Sequence, residues 1–322
     1  MKKVNYRISF TTPAFLGNAN QHGQWRTPPF KALLRQWWRV VWATRHNFRG
    51  NIEQMRRDEG RLFGNAWLKN DFRKSEVRIR LSKWDEGKWN KGMLRDNKSD
   101  LVYLGYGPLN QSKRAIHAGQ WANLSIAMPD GAEADIRSAC VLIHAYGAVG
   151  GRSRNGWGSV CLEAPDGPPE FPPTSDFQRW MRNWRQALDL DWPHTIGKDE
   201  SGPLVWQTAA TYKDWSKVLC ELSKVKKHLR KERKFEVRKW QNKRLPNTLR
   251  FKVRRDPSSK SALRGVVFHV PCKPPQEFGP DLDTIKNVWC HAHKDLDALV
   301  ANGRTRQFPA KGVRVCLERV KA

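Results

Sequence analysis

A glycine-rich segment at residues 145–160, AYGAVGGRSRNGWGSV, combines residue types that bind phosphate groups. Its glycines permit main-chain conformations that other residues avoid, and they let a ligand approach the backbone closely. Exposed amides in such a loop can hold phosphate oxygens, arginines can add two hydrogen bonds each, and a tryptophan ring can stack on a base. The segment therefore predicts a loop that binds a phosphate backbone. The predicted contacts are Gly150, Gly151, Arg152, Arg154 and Trp157.

The same composition also fits a mobile linker or a set of tight turns between two elements. The segment matches neither GxxxxGK[ST] nor GxGxxG, the patterns typical of nucleotide-binding sites. No small-molecule cofactor is therefore predicted.

A second loop, residues 11–30, leads into the first predicted helix and has a similar character. The helix is predicted to begin at a Pro-Pro pair, because proline is tolerated in a first turn, and the positive end of its dipole favours anions. One arginine precedes the helix, and three basic residues then recur at spacings of four, so they form a row along one side. We expect both loops and this row to line one groove. The predicted contacts are Arg26, Lys31, Arg35 and Arg39.

The most basic part of the chain, residues 224–255, holds fifteen Lys and Arg against two Glu. So few acids leave the charge unbalanced, which favours a phosphate-facing role over an ordinary solvated helix. Its first part has a helical pattern. Residues 248–254 instead alternate between apolar and basic side chains, as in a strand, and residues 265–270 predict the next strand of a hairpin. The predicted contacts are Arg244, Arg250, Lys252 and Arg254.

The whole chain is strongly basic: its 322 residues carry 59 Lys and Arg against 31 Asp and Glu, a formal net charge of +28. An excess of this size predicts a polyanionic partner. A membrane surface fits less well, because no stretch approaches the roughly 18 apolar residues of a spanning helix and the N-terminus does not resemble a signal peptide. Six scattered cysteines without a CxxC pair indicate free thiols in a reducing cytoplasm.

A proline-rich stretch at residues 164–174 divides the chain into predicted domains at residues 1–165 and 166–322. Both domains mix strands with helices, so they can be two copies of one fold. In the first domain, alternation predicts strands at residues 3–11, 76–82 and 120–128, and helical periodicity predicts a second helix at 133–146. The first helix is expected to bury Leu33, Leu34, Trp37, Trp38 and Val41.

Histidine is the obvious candidate for acid–base chemistry on RNA, and His22 and His46 lie beside the first helix. No pair of histidines has a spacing that defines a mechanism. The segment WCHAH brings Cys290, His291 and His293 together, but no second ligand pair follows, so no metal site is predicted.

Several of these segments resemble one protein family. FLGNAN with WRTPPFKALLRQWWR is similar to the N-terminal signature of the RAMP proteins of type III CRISPR systems, and the nearest resemblance is to the first RAMP subunit of the Cmr (type III-B) effector complex. RLFGNA at residues 61–66 and GAVGGRSRNGWGSV resemble two further family motifs, in the family's order. RLPNTL at residues 244–249 resembles a strand entry of the same subunit.

The resemblance implies an α+β protein made of two ferredoxin-like (RRM-like) modules, with antiparallel sheets backed by helices and a glycine-rich loop at the end of the first module. It implies a cytoplasmic RNA-binding subunit without catalysis of its own, which holds guide RNA or the guide–target duplex near the guide 3′ end. Guide RNA, target RNA and other CRISPR effector subunits are then the expected partners. The arginines and the lysine of both loops and of the first helix become the expected RNA contacts.

Two other RAMP functions remain open from the sequence. One is an endoribonuclease that trims guide precursors with a histidine such as His22 or His46. The other is a backbone-type subunit that repeats along the guide and cuts target RNA with a loop aspartate, for which the candidates are Asp58, Asp71 and Asp85.

Overall fold

The structure is a computed structural model, and it describes residues 1–66, 72–94, 98–164, 174–232, 247–257, 259–275, 281–300 and 315–321. The predicted domain boundary at residue 165 and the predicted contact Arg244 lie outside these residues. The chain divides into two compact units. The first comprises Met1–Met93, Gln111–Ser153 and Trp157–Pro172, and the second comprises Leu94–Asn110, Arg154–Gly156 and Pro173–Ala322.

The first unit contains a four-stranded antiparallel sheet in the order β2-β3-β1-β4. Its elements are β1 (Lys2–Phe10), α1 (Thr27–Arg45), α2 (Ile52–Phe63), β2 (Arg78–Leu81), β3 (Trp121–Met128), α4 (Glu133–Tyr146) and β4 (Val160–Glu163). With α2 as an insertion, this is the βαββαβ arrangement of a ferredoxin-like fold. The predicted fold class is therefore confirmed for this unit.

Side-chain periodicity explains why these segments adopt their structures. In β1, Val4, Tyr6 and Ile8 are buried while Lys3 and the other alternate residues before position 8 face solvent, as expected for a half-buried strand. Helix α1 has proline in its first turn, as predicted. All five residues expected on its buried face are at most 5% exposed: Leu33, Leu34, Trp37, Trp38 and Val41.

The second unit repeats the same topology in a sheet of order β11-β8-β10-β9, again antiparallel throughout. This sheet and its helices comprise β8 (Val205–Thr208), α5 (Trp215–Glu232), β9 (Leu249–Asp256), β10 (Ser259–His269), α6 (Leu282–Ala298) and β11 (Leu317–Arg319). A helix from earlier in the chain, α3 (Lys98–Gly105), packs on α5. A small sheet adds β5 (Met181–Asn183), β6 (Ile196–Asp199) and β7 (Gly202–Pro203).

The predicted hairpin of the second unit is confirmed as β9 and β10, which pair in antiparallel register from His269 opposite Leu249 to Leu263 opposite Arg255. Leu249, Phe251 and Val253 are buried, as their alternation predicts. Within the described residues, no helix is long and apolar enough to cross a bilayer.

Main-chain hydrogen bonds tie the 11–30 loop to the glycine-rich segment inside the first unit. Thr11 N donates to Ser159 O, Gly158 N to Pro13 O and Gly151 N to Phe15 O, each at 2.9 Å. Val149 N donates to Gly158 O at 2.9 Å and closes the glycine-rich segment on itself. The two loops that the sequence predicts to lie in one groove are therefore in direct contact.

The glycines permit this close approach. A Cβ atom on Gly150 would lie 2.6 Å from the carbonyl oxygen of Phe15, and one on Gly158 would lie 2.0 Å from that of Val149. Gly158 also has φ +64°, in the left-handed region that side chains disfavour. Packing of main chain against main chain thus explains these two glycines.

Substituting Gly158 by Ala is expected to lower the free energy of unfolding by about 3 kcal/mol or more, because the left-handed conformation and the contact with Val149 O both become unfavourable. Gly119→Ala is the matched control: Gly119 has φ +83°, but a Cβ atom there would meet nothing within 4 Å, so a loss of about 1 kcal/mol is expected. Urea denaturation followed by circular dichroism measures both variants. Equal losses would show that the glycine-rich segment is not packed as described.

Candidate nucleic-acid interface

The tip of the glycine-rich segment, Arg154–Gly156, belongs to the second unit, where it lies along the edge of its main sheet. Phe251 N of β9 donates to Arg154 O at 3.0 Å. Asn155 donates from Nδ2 to Leu104 O and accepts at Oδ1 from Lys226 Nζ, both at 2.7 Å. These contacts fix the backbone of Arg154 within the second unit.

Arg154 and Arg250 form a pair of like charges in the second unit. Burial, and then the neighbouring charge of Arg154, lower the pKa of Arg250 to about 10, so its guanidinium is still cationic at neutral pH. Its Nε atom is buried and has no hydrogen-bond partner among the described residues. A buried donor without an acceptor costs free energy, and a phosphate oxygen between the two guanidiniums satisfies both the donor and the charges.

The thiol of Cys272 also faces this pair but does not neutralise it. Burial raises the pKa of Cys272 to about 11, against the opposing effect of Arg250 and Arg154, and Asp191 adds to the rise. The thiol is therefore uncharged at neutral pH. We call Arg154 and Arg250 the arginine pair.

The other basic residues of β9 differ in their accessibility. Arg254 is half-buried, and its Nη2 donates to Gln207 Oε1 at 2.8 Å. Lys252 is fully buried, with 0% exposed, so the prediction that it contacts RNA is wrong for this structure. Its position opposite Val266 in the middle of the hairpin explains its burial.

In the first unit, a buried carboxylate partly neutralises the basic row of α1. Glu59 of α2 is 1% exposed. It accepts hydrogen bonds from Arg39 Nε at 2.6 Å, Arg39 Nη2 at 2.9 Å and Arg35 Nη2 at 2.9 Å. Burial alone would raise the pKa of Glu59, but the hydrogen bonds from Arg39 and Arg35 outweigh it and hold the pKa below its ordinary value. Arg35 and Arg39 are thus held in place with one compensating charge between them.

Lys31 and Arg26 complete the basic surface of α1. Burial, and then the charge of Arg35, lower the pKa of Lys31, as expected for a cation beside another cation. Arg26 is the residue before the helix, and its Nε is buried without a partner in the described part of the chain. Pro28 and Pro29 have no amide hydrogens. The first turn of α1 therefore offers an anion fewer hydrogen-bond donors than a helix N-terminus normally does.

The predicted RNA contacts in the glycine-rich segment differ in whether the structure leaves them accessible. Trp157 is 0% exposed and packs on Phe15 and Trp89, with ring centroids 5.2 and 5.8 Å away. It is a core residue, and the prediction that it stacks on a base is wrong. The Gly151 amide donates to Phe15 O, so it is not available to phosphate. Arg152 and Arg154 are exposed, as a backbone contact requires.

The candidate acid–base residues have structural contacts of their own. His46 Nδ1 lies 2.8 Å from Trp42 O, and the centroids of the His46 and Trp42 rings are 3.9 Å apart in a stacked arrangement. His22 Nδ1 accepts a hydrogen bond from Arg114 N at 3.4 Å. Asp58 accepts from Trp42 Nε1 at 3.0 Å, and Asp71 lies outside the described residues.

The possible metal ligands of the WCHAH segment have separate surroundings. His293 is buried and its Nε2 lies 3.0 Å from His269 Nδ1. Burial lowers the pKa of His293 to about 3, so this contact joins neutral rings. Across the residues that the structure describes, no three His, Cys, Asp or Glu side chains form a group suited to a metal ion.

Sequence reasoning missed Glu59 and Asn155. Glu59 lies four residues after Met55 on the buried face of α2, and a carboxylate on an apolar face is a signal for a buried cationic partner. Asn155 gave no such signal, because its partners Leu104 and Lys226 are distant in sequence.

Glu59→Gln is expected to lower the free energy of unfolding by about 1.5–3 kcal/mol, since hydrogen bonds to a charged acceptor are lost. The folded-state pKa of Glu59 is depressed, so its contribution is complete above the ordinary carboxyl pKa and is lost as the pH falls through the folded value. The difference between wild type and variant should therefore shrink in acid. Thermal unfolding measured at neutral pH and at about pH 4 checks both statements.

Glu53→Gln on the same helix provides the control. Glu53 is 78% exposed and lies 3.6 Å from Arg57, so its loss should cost less than about 0.5 kcal/mol. A Glu59→Gln variant that matches this control contradicts the role given to Glu59.

Comparisons with known proteins bear on the family and the fold. The model of the RAMP superfamily matches residues 7–161. The crystal structure of Cmr1 from Pyrococcus furiosus in its apo form is similar with a TM-score of 0.51 and 17% identity, over 85% of this chain and 90% of that chain. At this identity the likeness shows a shared fold.

A second similar chain is from the cryo-EM structure of the type III-B Cmr-beta complex bound to cognate target RNA and AMPPnP in the presence of ssDNA. Its TM-score is 0.49 and its identity is 13%, over 90% of this chain and 99% of that chain. No curated protein matches this chain in sequence. The family match thus covers residues 7–161, nearly half of the chain, as a RAMP superfamily segment.

Proposed function

We propose that the protein is an RNA-binding subunit of a type III CRISPR ribonucleoprotein effector. The observation that carries the proposal is the arginine pair, Arg154 and Arg250. These two cations influence each other, and Arg250 has a buried donor without a partner in the described part of the chain. Such a pair is unfavourable by itself and favourable once a phosphate lies against it. The RAMP superfamily match at residues 7–161 also supports the proposal, because the sequence motifs of this chain resemble those of RAMP subunits that hold guide RNA.

Three further features support the proposal. The net charge of +28 attracts polyanions of any sequence. Two ferredoxin-like modules occur in one chain, and the fold resembles that of a protein named Cmr1. The exposed or half-buried basic residues of α1 and of the glycine-rich segment offer further phosphate contacts, namely Arg26, Lys31, Arg35, Arg39 and Arg152.

The proposed mechanism separates positioning from sequence recognition. The arginines contact the phosphate backbone, which carries no sequence information, so they fix the position of the strand. Base pairing between guide and target then reads the sequence. In this proposal the subunit holds guide RNA or the guide–target duplex near the guide 3′ end, beside other effector subunits in the cytoplasm.

The subunit is proposed to have no catalytic activity of its own. The histidines that the endoribonuclease alternative requires, His22 and His46, each contact the protein main chain, at Arg114 and Trp42. The wild type, a His22→Ala variant and a His46→Ala variant should therefore all leave repeat RNA intact in the absence of metal ions. RNA cleaved by the wild type and left intact by either variant would establish the endoribonuclease function instead.

Removal of Arg154 tests the arginine pair. Each phosphate contact contributes about 0.9 to the slope of log affinity against log salt concentration on duplex, and about 0.7 on a single strand. Arg154→Ala should flatten the slope by about that amount, and Arg152→Ala with Arg154→Ala by about 1.5–2 on a guide–target duplex. Fluorescence anisotropy at a series of salt concentrations gives these slopes.

Arg137→Ala is the matched control for charge. Arg137 lies on α4, is 54% exposed and is paired with Glu133 at 2.8 Å, so its removal changes net charge by the same amount without touching the candidate surface. Equal slopes for Arg154→Ala and Arg137→Ala would remove the arginine pair from the RNA interface.

A further inference from the structure

The sheet of the first unit has one open face. Its other face is covered by α1 and α4, with Ile8, Leu124 and Leu162 packed against Phe30 and Leu33. Residues directly opposite one another in antiparallel strands point to the same side of a sheet. The pairing register therefore determines which side chains share the open face.

Four rows of side chains cross this open face. Arg78, Ala127 and Lys3 form the first row, Arg80, Ser125 and Asn5 the second, and Asn123, Arg7 and Glu163 the third. Trp121 lies in the fourth row with Ser9 and Cys161, which are both buried, so in this row only the Trp121 end is open. We call this surface, with the adjoining Lys83, the open sheet face.

Positive charge and one aromatic ring dominate the open sheet face. Lys3, Arg7, Arg78 and Arg80 are exposed, and the one carboxylate in the rows is Glu163. Trp121 is 37% exposed. The Arg7 guanidinium carbon lies 4.2 Å from the Trp121 ring centroid, and Lys83 Nζ lies 5.0 Å from it. Two cations therefore lie close to one partly exposed aromatic ring on this surface.

We propose that the open sheet face binds single-stranded nucleic acid. One base stacks on Trp121 and the Arg7 guanidinium, while Lys83, Arg80 and Arg78 contact successive phosphates of the same strand. Alternate residues of a strand are roughly 7 Å apart, so Arg78 and Arg80 present two separate contacts in a line. Asn5, Asn123 and Ser125 supply hydrogen-bonding groups between them.

The chemistry of the face favours an unpaired strand over other occupants. A base inside a duplex is stacked on its neighbours, so a flat tryptophan platform reaches bases only in a single strand. A protein partner is less well matched, because protein interfaces are depleted in charge at their centre and this surface places its cations around the ring. RNA and DNA share the base and phosphate chemistry, so the experiment compares them.

The proposal is independent of the arginine pair. None of the residues that carry it is among the contacts proposed for the guide RNA or the guide–target duplex, and the face belongs to the first unit, whereas Arg154 and Arg250 belong to the second. The two surfaces therefore make separate predictions: the open sheet face selects single strands, and the arginine pair acts on single strands and duplexes alike.

The test uses the full chain and three fluorescent probes: an oligouridine of about 12 nucleotides, oligothymidine of the same length, and an RNA duplex. Trp121→Ala should weaken binding of the single strands about 5- to 150-fold and leave duplex binding within about twofold. Trp121→Phe keeps an aromatic face and should restore most of the loss. Arg7→Ala with Arg80→Ala should flatten the single-strand salt slope by about 1.4.

Two controls address nonspecific effects. Phe72 is 71% exposed in the first unit and lies outside the strands, so Phe72→Ala should bind every probe as the wild type does. Arg154→Ala should weaken duplex and single strand together. If Arg154→Ala has no effect while Trp121→Ala does, the proposed function of the arginine pair fails and the open sheet face stands.

Two results would overturn the proposal. One is single-strand binding by Trp121→Ala within twofold of the wild type. The other is an unchanged salt slope for the Arg7→Ala and Arg80→Ala variant, combined with loss of a protein subunit from the assembled complex, which would make this face a protein contact. A preference for oligouridine over oligothymidine identifies RNA as the ligand, and equal binding identifies single strands of either kind.

Discussion

Main-chain hydrogen bonds fix the glycine-rich segment, and with it the backbone positions of Arg152 and Arg154 in the candidate interface. In the first unit, amides of Gly151 and Gly158 donate to carbonyls of the 11–30 loop. A Cβ atom at Gly150 would clash with Phe15 O of that loop, and one at Gly158 would clash with Val149 O inside the segment. In the second unit, the tip of the segment is bound by Phe251, and Asn155 fixes it further. A loop held in this way keeps its arginines in defined positions, so the entropic cost of ordering them is met during folding and not during binding. Glycine in this segment therefore serves packing.

The positive charges of the candidate interface are neutralised to different extents by neighbouring groups. Glu59 neutralises part of the basic row of α1, which gives Arg35 and Arg39 fixed positions and leaves them one-third exposed. Among the described residues no carboxylate acts in the same way on Arg250, whose charge is influenced by Arg154 and by an uncharged thiol. The first arrangement stabilises the folded protein, and the second reduces stability until an anion binds. A protein that binds a polyanion tolerates such a cost because the partner removes it.

Local sequence patterns predicted the strands and helices. The side-chain environments that the sequence did not reveal depend on contacts between residues far apart in the chain. The alternation of β1, the periodicity of α1 and the hairpin of β9 and β10 depend on neighbours within a few residues, so each was predicted. Trp157 was assigned to RNA from its place in a polar loop, but its burial depends on Phe15 and Trp89, which are far away in sequence. Lys252 follows the alternation of its strand and is nevertheless buried, opposite the buried Val266 of the neighbouring strand. The pairing of Arg39 with Glu59 likewise depends on how α2 packs against α1.

The central claim is that the arginine pair is unfavourable alone and favourable with RNA, and the Arg250→Met variant tests it most directly. Methionine fills a similar volume without the charge or the unpartnered donor, and replacing a buried charge by an apolar side chain is often neutral or stabilising. The measurement is the thermal unfolding temperature of wild type and variant, each with and without guide RNA. We predict that the variant unfolds at the same or a higher temperature than wild type without RNA and gains less from RNA. A variant that is destabilised without RNA and gains as much from RNA as the wild type would contradict the claim.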